Sequence, residues 1–260
     1  MHLNFSKMTQ IVTNERWKLA QEHEKMLWNS ITKEYLIEHS RHYSKKADII
    51  STEAKENLKN LKNLKVLQLG CGPMDVINHV KFGEKHSIDP LANFYREKFN
   101  FDYNETNFVE GIGEKLPYKN NFFDIIIFAN VLDHTNNPRE VLSELKRVLK
   151  PNGFVHLEAH FYQEGFIRLA KIYGFFKKNL TGKIFNPCHP YMFKLSELKS
   201  IISEYFTIQN EKFGEDIEKD LKDMNDIKEF MKKEKFTRRF PAKFGLLGII
   251  NYTCICKKKN

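Results

Sequence analysis

A short apolar strand that ends in two glycines constrains the fold of this chain more than any other stretch. Val66, Leu67 and Leu69 form an apolar run, and Gly70-Cys71-Gly72 ends it abruptly. This pattern predicts a strand buried on both faces, followed by a tight turn. Glycine adopts a positive φ readily and lets a ligand approach the backbone closely. We therefore expect a nucleotide-type site at the carboxyl end of a parallel strand, with a helix over residues 74–80 directing its N–H groups at the ligand.

A second predicted strand ends in a carboxylate, nineteen residues after Gly70. Its sequence is His86-Ser87-Ile88-Asp89. In doubly wound folds, an acid at this place and distance accepts hydrogen bonds from the ribose hydroxyls of a nucleotide cofactor. A cap of the following helix is the other interpretation of Asp89, and the neighbouring glycine turn favours ribose binding.

Three later stretches add further motifs. They are Gly111 to Pro117 (Gly-Ile-Gly-Glu-Lys-Leu-Pro), Phe123 to His134, and Leu145 to Gly153. Together with the glycine turn and Asp89, they resemble in order and spacing the motifs of the class I S-adenosylmethionine-dependent methyltransferases. The resemblance is closest to the branch that acts on small molecules, lipids and glycans. It covers residues 65–160 and implies S-adenosyl-L-methionine as the cofactor.

The resemblance also implies which residues contact the cofactor. They are Gln68, Gly70, Cys71, Gly72, Asp89, Pro90, Ile112, Gly113, Glu114, Asn130, Val131 and Leu132. The family often has an acid at position 68, a third glycine at 74 and an aspartate at 112, where this chain has Gln68, Met74 and Ile112. Glu114 is therefore the candidate to meet the adenine amino group instead.

The periodicity of the core alternates between strands and helices. Strands are predicted near residues 65–69, 85–88, 106–110, 123–130, 153–160, 206–212 and 249–256, and helices near 74–80, 91–98, 138–149 and 196–205. Such alternation predicts right-handed βαβ units. With the resemblance, it gives an α/β fold, a Rossmann-like seven-stranded mostly parallel sheet with an antiparallel last strand and helices on both faces.

Three further segments flank or interrupt this core. Residues 1–62 are predicted to form an N-terminal helical extension packed on the core, with helices over 14–38, capped by Asn14, and 46–61. Residues 63–260 are expected to form the methyltransferase domain. Within it, 161–194 is a predicted lid, because long loops in compact domains tend to be functional. The segment 215–243 is a predicted helical insertion.

The acceptor site of such a fold lies beyond the fourth strand, beside the cofactor. Removing a proton from an acceptor hydroxyl needs a base that titrates near neutral pH, and histidine suits that role. His134 with Asp133, and His160, are the candidate catalytic residues, whereas His189 and Tyr191 are candidate substrate contacts. Structural roles for these residues stay open: a cap for Asp133 and His134, and ordinary strand-end and turn positions for the others.

Composition limits the partners. The net charge is +9, but lysine is spread along the whole chain, so we expect a small-molecule, glycan or lipid-linked acceptor and no nucleic acid. The four cysteines lack metal-ligand spacing, and we predict no metal site and a reducing cytoplasm. No apolar run approaches the roughly 20 residues of a membrane helix, and residues 1–10 do not resemble a secretory signal.

Two other functions share part of this pattern. A nicotinamide-dependent short-chain dehydrogenase or epimerase would use the same glycine turn, and Tyr173 and Lys177 have its Tyr-x-x-x-Lys spacing. However, Asp75 stands where that fingerprint has a third glycine or alanine. A catalytically inactive methyltransferase fold that serves as a binding subunit is the second alternative, which cofactor binding without turnover would reveal.

Overall fold

One mixed seven-stranded sheet organises the computed structural model, which describes residues 12–38, 40–73, 76–100, 105–213 and 249–259. The strands are β1 (Lys65–Leu69), β2 (Glu84–Asp89), β3 (Thr106–Glu110), β4 (Phe123–Ala129), β5 (Leu149–Phe161), β6 (Phe206–Phe213) and β7 (Ile250–Lys258). They lie in the order β3-β2-β1-β4-β5-β7-β6, and β7 runs antiparallel to both of its neighbours. The predicted Rossmann-like sheet with an antiparallel last strand is confirmed.

Seven α-helices surround this sheet within the described ranges. They are α1 (Asn14–Asn29), α2 (Lys33–Glu38), α3 (Ser40–Asn57), α4 (Ala92–Phe99), α5 (Pro138–Val148), α6 (Glu164–Thr181) and α7 (Leu195–Tyr205). The prediction of one helix over 14–38 is wrong, because α1 ends at Asn29 and α2 is a separate helix, and the N-cap of α1 is Thr13 rather than Asn14. None of the described helices combines the length and the apolar character that crossing a bilayer requires.

Helices cover both faces of the central strands, as predicted. Alternate residues of a strand point to opposite faces. Val66 and Ile125 therefore pack against α3 on one face, and Leu67 and Ile126 pack against α5 and α7 on the other. All four side chains are fully buried. The continuous apolar sequence of β1 and β4 follows from this double burial.

The predicted helix over 74–80 is wrong in its described part. Only a 3-10 turn, Ile77–His79, forms there, and Val80 is already extended. The N–H of Ile77 donates to Gln68 Oε1 at 2.8 Å, which fixes this turn against β1. Branched side chains at 76, 77 and 80 disfavour a longer helix. The glycine turn is therefore not followed by an α-helix N-terminus among the described residues.

The segment predicted as a loose lid over 161–194 contains an 18-residue helix, α6. Its buried positions include Ile167 and Ala170, but its opposite side is also apolar, which hides the helical period in the sequence. β5 also begins earlier than predicted, because Leu149 pairs with Phe123 before an irregularity in the strand. The predicted helical insertion at 215–243 lies outside the described residues.

A buried ion network joins α3 to the centre of β5. His156 is 1% exposed, and its Nδ1 lies 2.7 Å from Glu53 Oε2 while its Nε2 lies 3.1 Å from Glu158 Oε1. Lys46 Nζ donates to Glu158 Oε2 at 2.6 Å. Burial alone would lower the pKa of His156, but its hydrogen bonds to the two glutamates raise that pKa to about 9.

We expect His156→Gln to destabilise the protein by about 3 to 5 kcal/mol, because it leaves the buried Glu53 without its cation, whereas Glu158 keeps Lys46 as a partner. The pKa of His156 is raised above its unfolded value, so its stabilisation is complete below about pH 6.5 and is lost as pH rises through about 9. The free energy of unfolding, measured with urea below about pH 6.5 and again above about pH 9, should fall with pH in the wild type and not in the variant. His42 is exposed, so His42→Gln should keep the wild-type dependence of stability on pH. A wild-type pH dependence in His156→Gln would contradict the prediction.

Candidate functional site

A cleft of about 300 Å³ opens at the carboxyl ends of β1, β2 and β4. This is where parallel α/β sheets bind ligands. Eleven of the twelve predicted cofactor contacts line it: Gln68, Gly70, Cys71, Gly72, Asp89, Pro90, Ile112, Gly113, Glu114, Asn130 and Val131. The exception is Leu132, which is fully buried in the core beside α5 and does not line the cleft. The sequence therefore located the wall of this cleft well.

The glycine turn after β1 depends on glycine at two positions. Gly70 has a φ of 66° and Gly72 a φ of 64°, both in the left-handed region. A Cβ on Gly70 would lie 2.6 Å from Val131 Cγ1 and closer still to Cγ2. A Cβ on Gly72 would meet only Trp28, at 4.0 Å. Gly70 thus allows β1 and the loop after β4 to approach, and Gly72 leaves its backbone open to the cleft.

Asp89 ties this turn to the end of β2. Its Oδ2 accepts from the Gly72 N–H at 3.0 Å and its Oδ1 from the Leu91 N–H at 2.8 Å. The side chain is buried, and that burial outweighs both hydrogen bonds and raises the pKa of Asp89 to about 6. A buried carboxylate is stabilised by further donors, and each of its oxygens has a second acceptor position. The hydroxyl groups of a ligand in the cleft would supply such donors.

Asn130 provides a further acceptor where β4 ends. It has a φ of 58°, and its N–H donates to the Glu158 carbonyl at 2.9 Å. Its side-chain Oδ1 is buried and has no hydrogen-bond partner among the described residues. An unpaired buried oxygen costs stability, which a donor on a bound ligand would recover.

Two other predicted cofactor contacts also hold the backbone of the site. Glu114 Oε1 accepts from the N–H groups of Asn136 and Asn137, at 2.8 and 3.0 Å, and so fixes the loop before α5. Gln68 Oε1 is occupied by Ile77. Each therefore shapes the cleft as well as lining it.

The N-terminal helices contribute a further wall of the cleft. Trp17, Glu24 and Trp28 from α1 and His42 from α3 line the cleft. Glu24 Oε1 accepts from the Trp28 Nε1–H at 2.8 Å. The spacing of the two tryptophans on one helical stripe was the available signal, but nothing local indicated which surface they cover.

A buried carboxylate, Asp133, gathers three histidines next to this cleft. Its Oδ2 lies 2.7 Å from His189 Nδ1 and 4.0 Å from His160 Nδ1. Its Oδ1 lies 3.9 Å from His134 Nε2 and has no hydrogen-bond partner among the described residues. The His134 and His189 rings lie 4.3 Å apart between their centroids. His134 alone of these four residues also lines the cleft.

The charges of this cluster reinforce one another. Burial would raise the pKa of Asp133, but the hydrogen bond from His189 and the nearby imidazoles lower it overall. Burial would lower the pKa of His189, yet Asp133 raises it. Burial lowers the pKa of His160. Asp133 and His189 thus stabilise each other's charged forms, whereas burial disfavours the charged form of His160.

Tyr191, predicted to contact the substrate, has a structural position instead. Its side chain is buried, its hydroxyl donates to the Asn136 carbonyl at 2.7 Å, and it accepts from the Val12 N–H at 3.0 Å. The residue therefore anchors the loop after α6 to the loop before α5. Tyr173 and Lys177, the pair of the dehydrogenase alternative, lie on α6 and do not line the cleft.

Asp133, His134 and His189 also carry groups that bind metal ions, and these atoms lie within 4.8 Å of one another. The sequence predicted no metal site. The Asp133–His189 separation of 2.7 Å is that of a hydrogen bond. It is shorter than the roughly 3.3 Å between two ligands of a tetrahedral zinc ion with bonds near 2.0 Å. The geometry therefore favours proton chemistry over coordination.

Comparison with known proteins shows that this part of the chain is similar to methyltransferases. Residues 67–157 match a family model described as a methyltransferase domain. An uncharacterized methyltransferase of Schizosaccharomyces pombe is 33% identical over 108 residues, which cover 35% of this chain and 37% of that protein. The thiol S-methyltransferase TMT1B of Rattus norvegicus is 30% identical over 126 residues, 45% of this chain and 50% of that protein. The chain thus spans between a third and a half of the length of these curated relatives.

A solved structure agrees on the fold. The MccD protein superposes with a TM-score of 0.51 at 20% identity, covering 81% of this chain and 96% of the other.

Proposed function

We propose that this chain is a class I S-adenosylmethionine-dependent methyltransferase, that its cleft binds S-adenosylmethionine and that it methylates a small-molecule, glycan or lipid acceptor. One observation carries the proposal. A glycine turn held by a buried carboxylate, Asp89, lies in the same cleft wall as His134 of the Asp133 cluster. Cofactor and acceptor groups would therefore meet at one edge of the sheet.

The polar and apolar groups that line the cleft fit this cofactor. Asp89 and Asn130 supply buried acceptors for hydroxyl and amino groups, and Gly72 leaves its backbone open. Ile112 is exposed in the cleft and suits the face of an adenine ring. When bound, S-adenosylmethionine supplies a methyl group on a positively charged sulfur. The residues of this chain then have to orient the acceptor about 3 Å from that methyl group and exclude water.

His134 is the residue best placed to take the acceptor's proton. Its Nε2 lies 3.9 Å from Asp133 and its Nδ1 lies 4.0 Å from Glu24 Oε2. A carboxylate thus stands near each ring nitrogen, and both stabilise the imidazolium that forms when His134 accepts a proton. Asp133 is itself held by His189, and the His189 ring packs against the ring of His134, so this pair helps to position His134.

We propose an oxygen acceptor, because a hydroxyl gains most from a neighbouring base. The rat relative is named a thiol S-methyltransferase, and a thiol is the second acceptor class that the same base would serve. Formation of S-adenosylhomocysteine from S-adenosylmethionine, measured with each member of a panel of phenols, catechols and thiols as the acceptor, distinguishes the two classes. Turnover with hydroxyl compounds and none with thiols is the expected result.

Calorimetry tests the cofactor assignment. The wild type should bind S-adenosylhomocysteine with a Kd of about 1 μM, near −8 kcal/mol, and bind NAD at least a hundredfold more weakly. Asp89→Ala should weaken S-adenosylhomocysteine binding about 10- to 100-fold, because hydrogen bonds to a charged group contribute about 1.5 to 3 kcal/mol.

Glu110→Gln is the matched control for Asp89→Ala. Glu110 ends β3 opposite Asp89 in the register of the two strands, but it is exposed and does not line the cleft. This variant should bind like the wild type. Tighter binding of NAD than of the adenosyl ligand would overturn the proposal in favour of a dehydrogenase.

A further inference from the structure

The helix α6 carries an apolar stripe that the other described residues leave exposed. Its exposed large apolar side chains are Leu169, Ile172, Tyr173, Phe175, Phe176 and Leu180, each of which is more than half exposed. All but Phe175 follow one another at intervals of one, three or four residues, so they share one side of the helix. At about 100° per residue, these five span an arc of about 100°.

Basic residues border this α6 stripe on both sides. Arg168 follows one edge of the arc and Lys177 the other, whereas Lys171 and Lys178 lie about 100° to 120° beyond the first edge, nearer to the buried Ile167. The one acid of α6, Glu164, is paired with Arg168 and with Lys194. The outward surface of α6 is therefore cationic as well as apolar.

We propose that α6 docks this protein on an anionic membrane surface, with the α6 stripe among the lipid chains and its basic border at the head groups. Interfacial helices of this kind combine aromatic and aliphatic residues on one side with lysine and arginine beside them. The charge complementarity points to anionic lipid, and the net charge of +9 acts in the same direction. An 18-residue helix is about 27 Å long, enough to lie flat over several lipids.

The position of α6 gives this docking a consequence for the acceptor, which rests on the proposed function. α6 begins at Glu164, three residues after β5 ends at Phe161, and so lies at the edge of the sheet where the cleft opens. The loop that follows α6 carries His189, which contacts Asp133. A membrane under α6 would face the acceptor side, so the acceptor class is an amphiphile held in the bilayer.

Vesicle co-sedimentation of the full chain tests the docking. The wild type should bind vesicles of phosphatidylcholine mixed with phosphatidylglycerol at least tenfold more tightly than pure phosphatidylcholine vesicles, and high salt should weaken this binding. Ile172→Ser with Phe176→Ser should reduce binding at least tenfold. Arg168→Glu with Lys177→Glu, which reverses the charge on both edges of the stripe, should remove the preference for anionic lipid.

Met26→Ser with Leu27→Ser is the matched control, because both side chains are exposed on α1 and neither lines the cleft. This variant should bind vesicles like the wild type. Vesicle binding that the α6 substitutions leave unchanged would overturn the proposal, as would its absence in the wild type. Self-association that Ile172→Ser with Phe176→Ser abolishes, without vesicle binding, would assign the α6 stripe to a contact between two copies.

Calorimetry with S-adenosylhomocysteine on the same preparations keeps the two proposals separable. The α6 variants should bind this ligand like the wild type, because α6 does not line the cleft. Vesicle binding without ligand binding would contradict the proposed function alone. Ligand binding without vesicle binding would contradict the docking alone.

Discussion

His134→Ala should lower kcat for methyl transfer about 100- to 10,000-fold, the range that a positioned general base contributes. The reason is that His134 alone of the Asp133 cluster lines the cleft and has a carboxylate near each ring nitrogen. Binding of S-adenosylhomocysteine should change little, because the glycine turn and Asp89 remain in place. The measurement is release of S-adenosylhomocysteine with the best acceptor from the hydroxyl panel.

A chemical rescue separates a base from a structural role. Imidazole added to His134→Ala should restore part of kcat, because the substitution leaves room where the ring stood. The control is His42→Gln, which also lies in the cleft wall but comes from α3 and has no such pair of carboxylates. It should retain near wild-type kcat. A wild-type kcat in His134→Ala would refute the assignment of the base.

A chelator provides a second check on the same cluster. Turnover of the wild type should survive EDTA, because the Asp133–His189 contact has the length of a hydrogen bond. Loss of activity with EDTA and recovery with zinc would instead show that Asp133, His134 and His189 hold a metal ion.

The strands and the cofactor wall could be predicted because their signals are local. Buried parallel strands read as short apolar runs, and the glycine turn has few alternatives. β3 was predicted at its observed bounds, and the turn at Gly70 and Gly72 has the positive φ that the glycines imply. Asp89 was singled out by its place at the end of a predicted strand and by its distance from the glycine turn.

The acceptor side could not be predicted in the same way, because its contacts are made over long distances in the sequence. Asp133 and His189 are 56 residues apart, and their hydrogen bond depends on where α6 leads the chain. Leu132 shows a different failure. It lies between Val131, which lines the cleft, and Asp133, and the 3-10 turn rotates its side chain into the core.

The cleft wall from α1 and the helix α6 show why an apolar pattern alone does not identify what a helix contacts. Trp17 and Trp28 form a helical stripe whose spacing alone does not say which surface it covers, and in the folded chain both line the cleft. On α6, the face toward the protein and the face toward solvent are both apolar, so no single period stands out. When a helix is apolar both on its buried face and on its exposed face, its sequence shows no helical period and reads as a loop.

Gly70→Ala should destabilise the protein by about 2 to 5 kcal/mol and weaken S-adenosylhomocysteine binding at least a hundredfold. About 1 to 2 kcal/mol comes from placing alanine at a φ of 66°. A further 1 to 3 kcal/mol or so comes from forcing a methyl group against Val131. Relieving that overlap moves the turn away from Asp89, which holds it through the Gly72 N–H, so binding falls with stability.

Two variants divide this effect into its parts. Gly182→Ala has nearly the same φ, 68°, but its Cβ meets nothing within 4 Å, so urea unfolding should show only the backbone cost. Adding Val131→Ala to Gly70→Ala removes the two methyl groups nearest the new Cβ and should recover most of the packing cost but not the backbone cost. The free energy of coupling between positions 70 and 131 should therefore be favourable by about 1 to 3 kcal/mol. Equal destabilisation by Gly70→Ala and Gly182→Ala would mean that the loop after β4 yields freely. The close approach of β1 to Val131 would then not be what fixes the shape of the cleft.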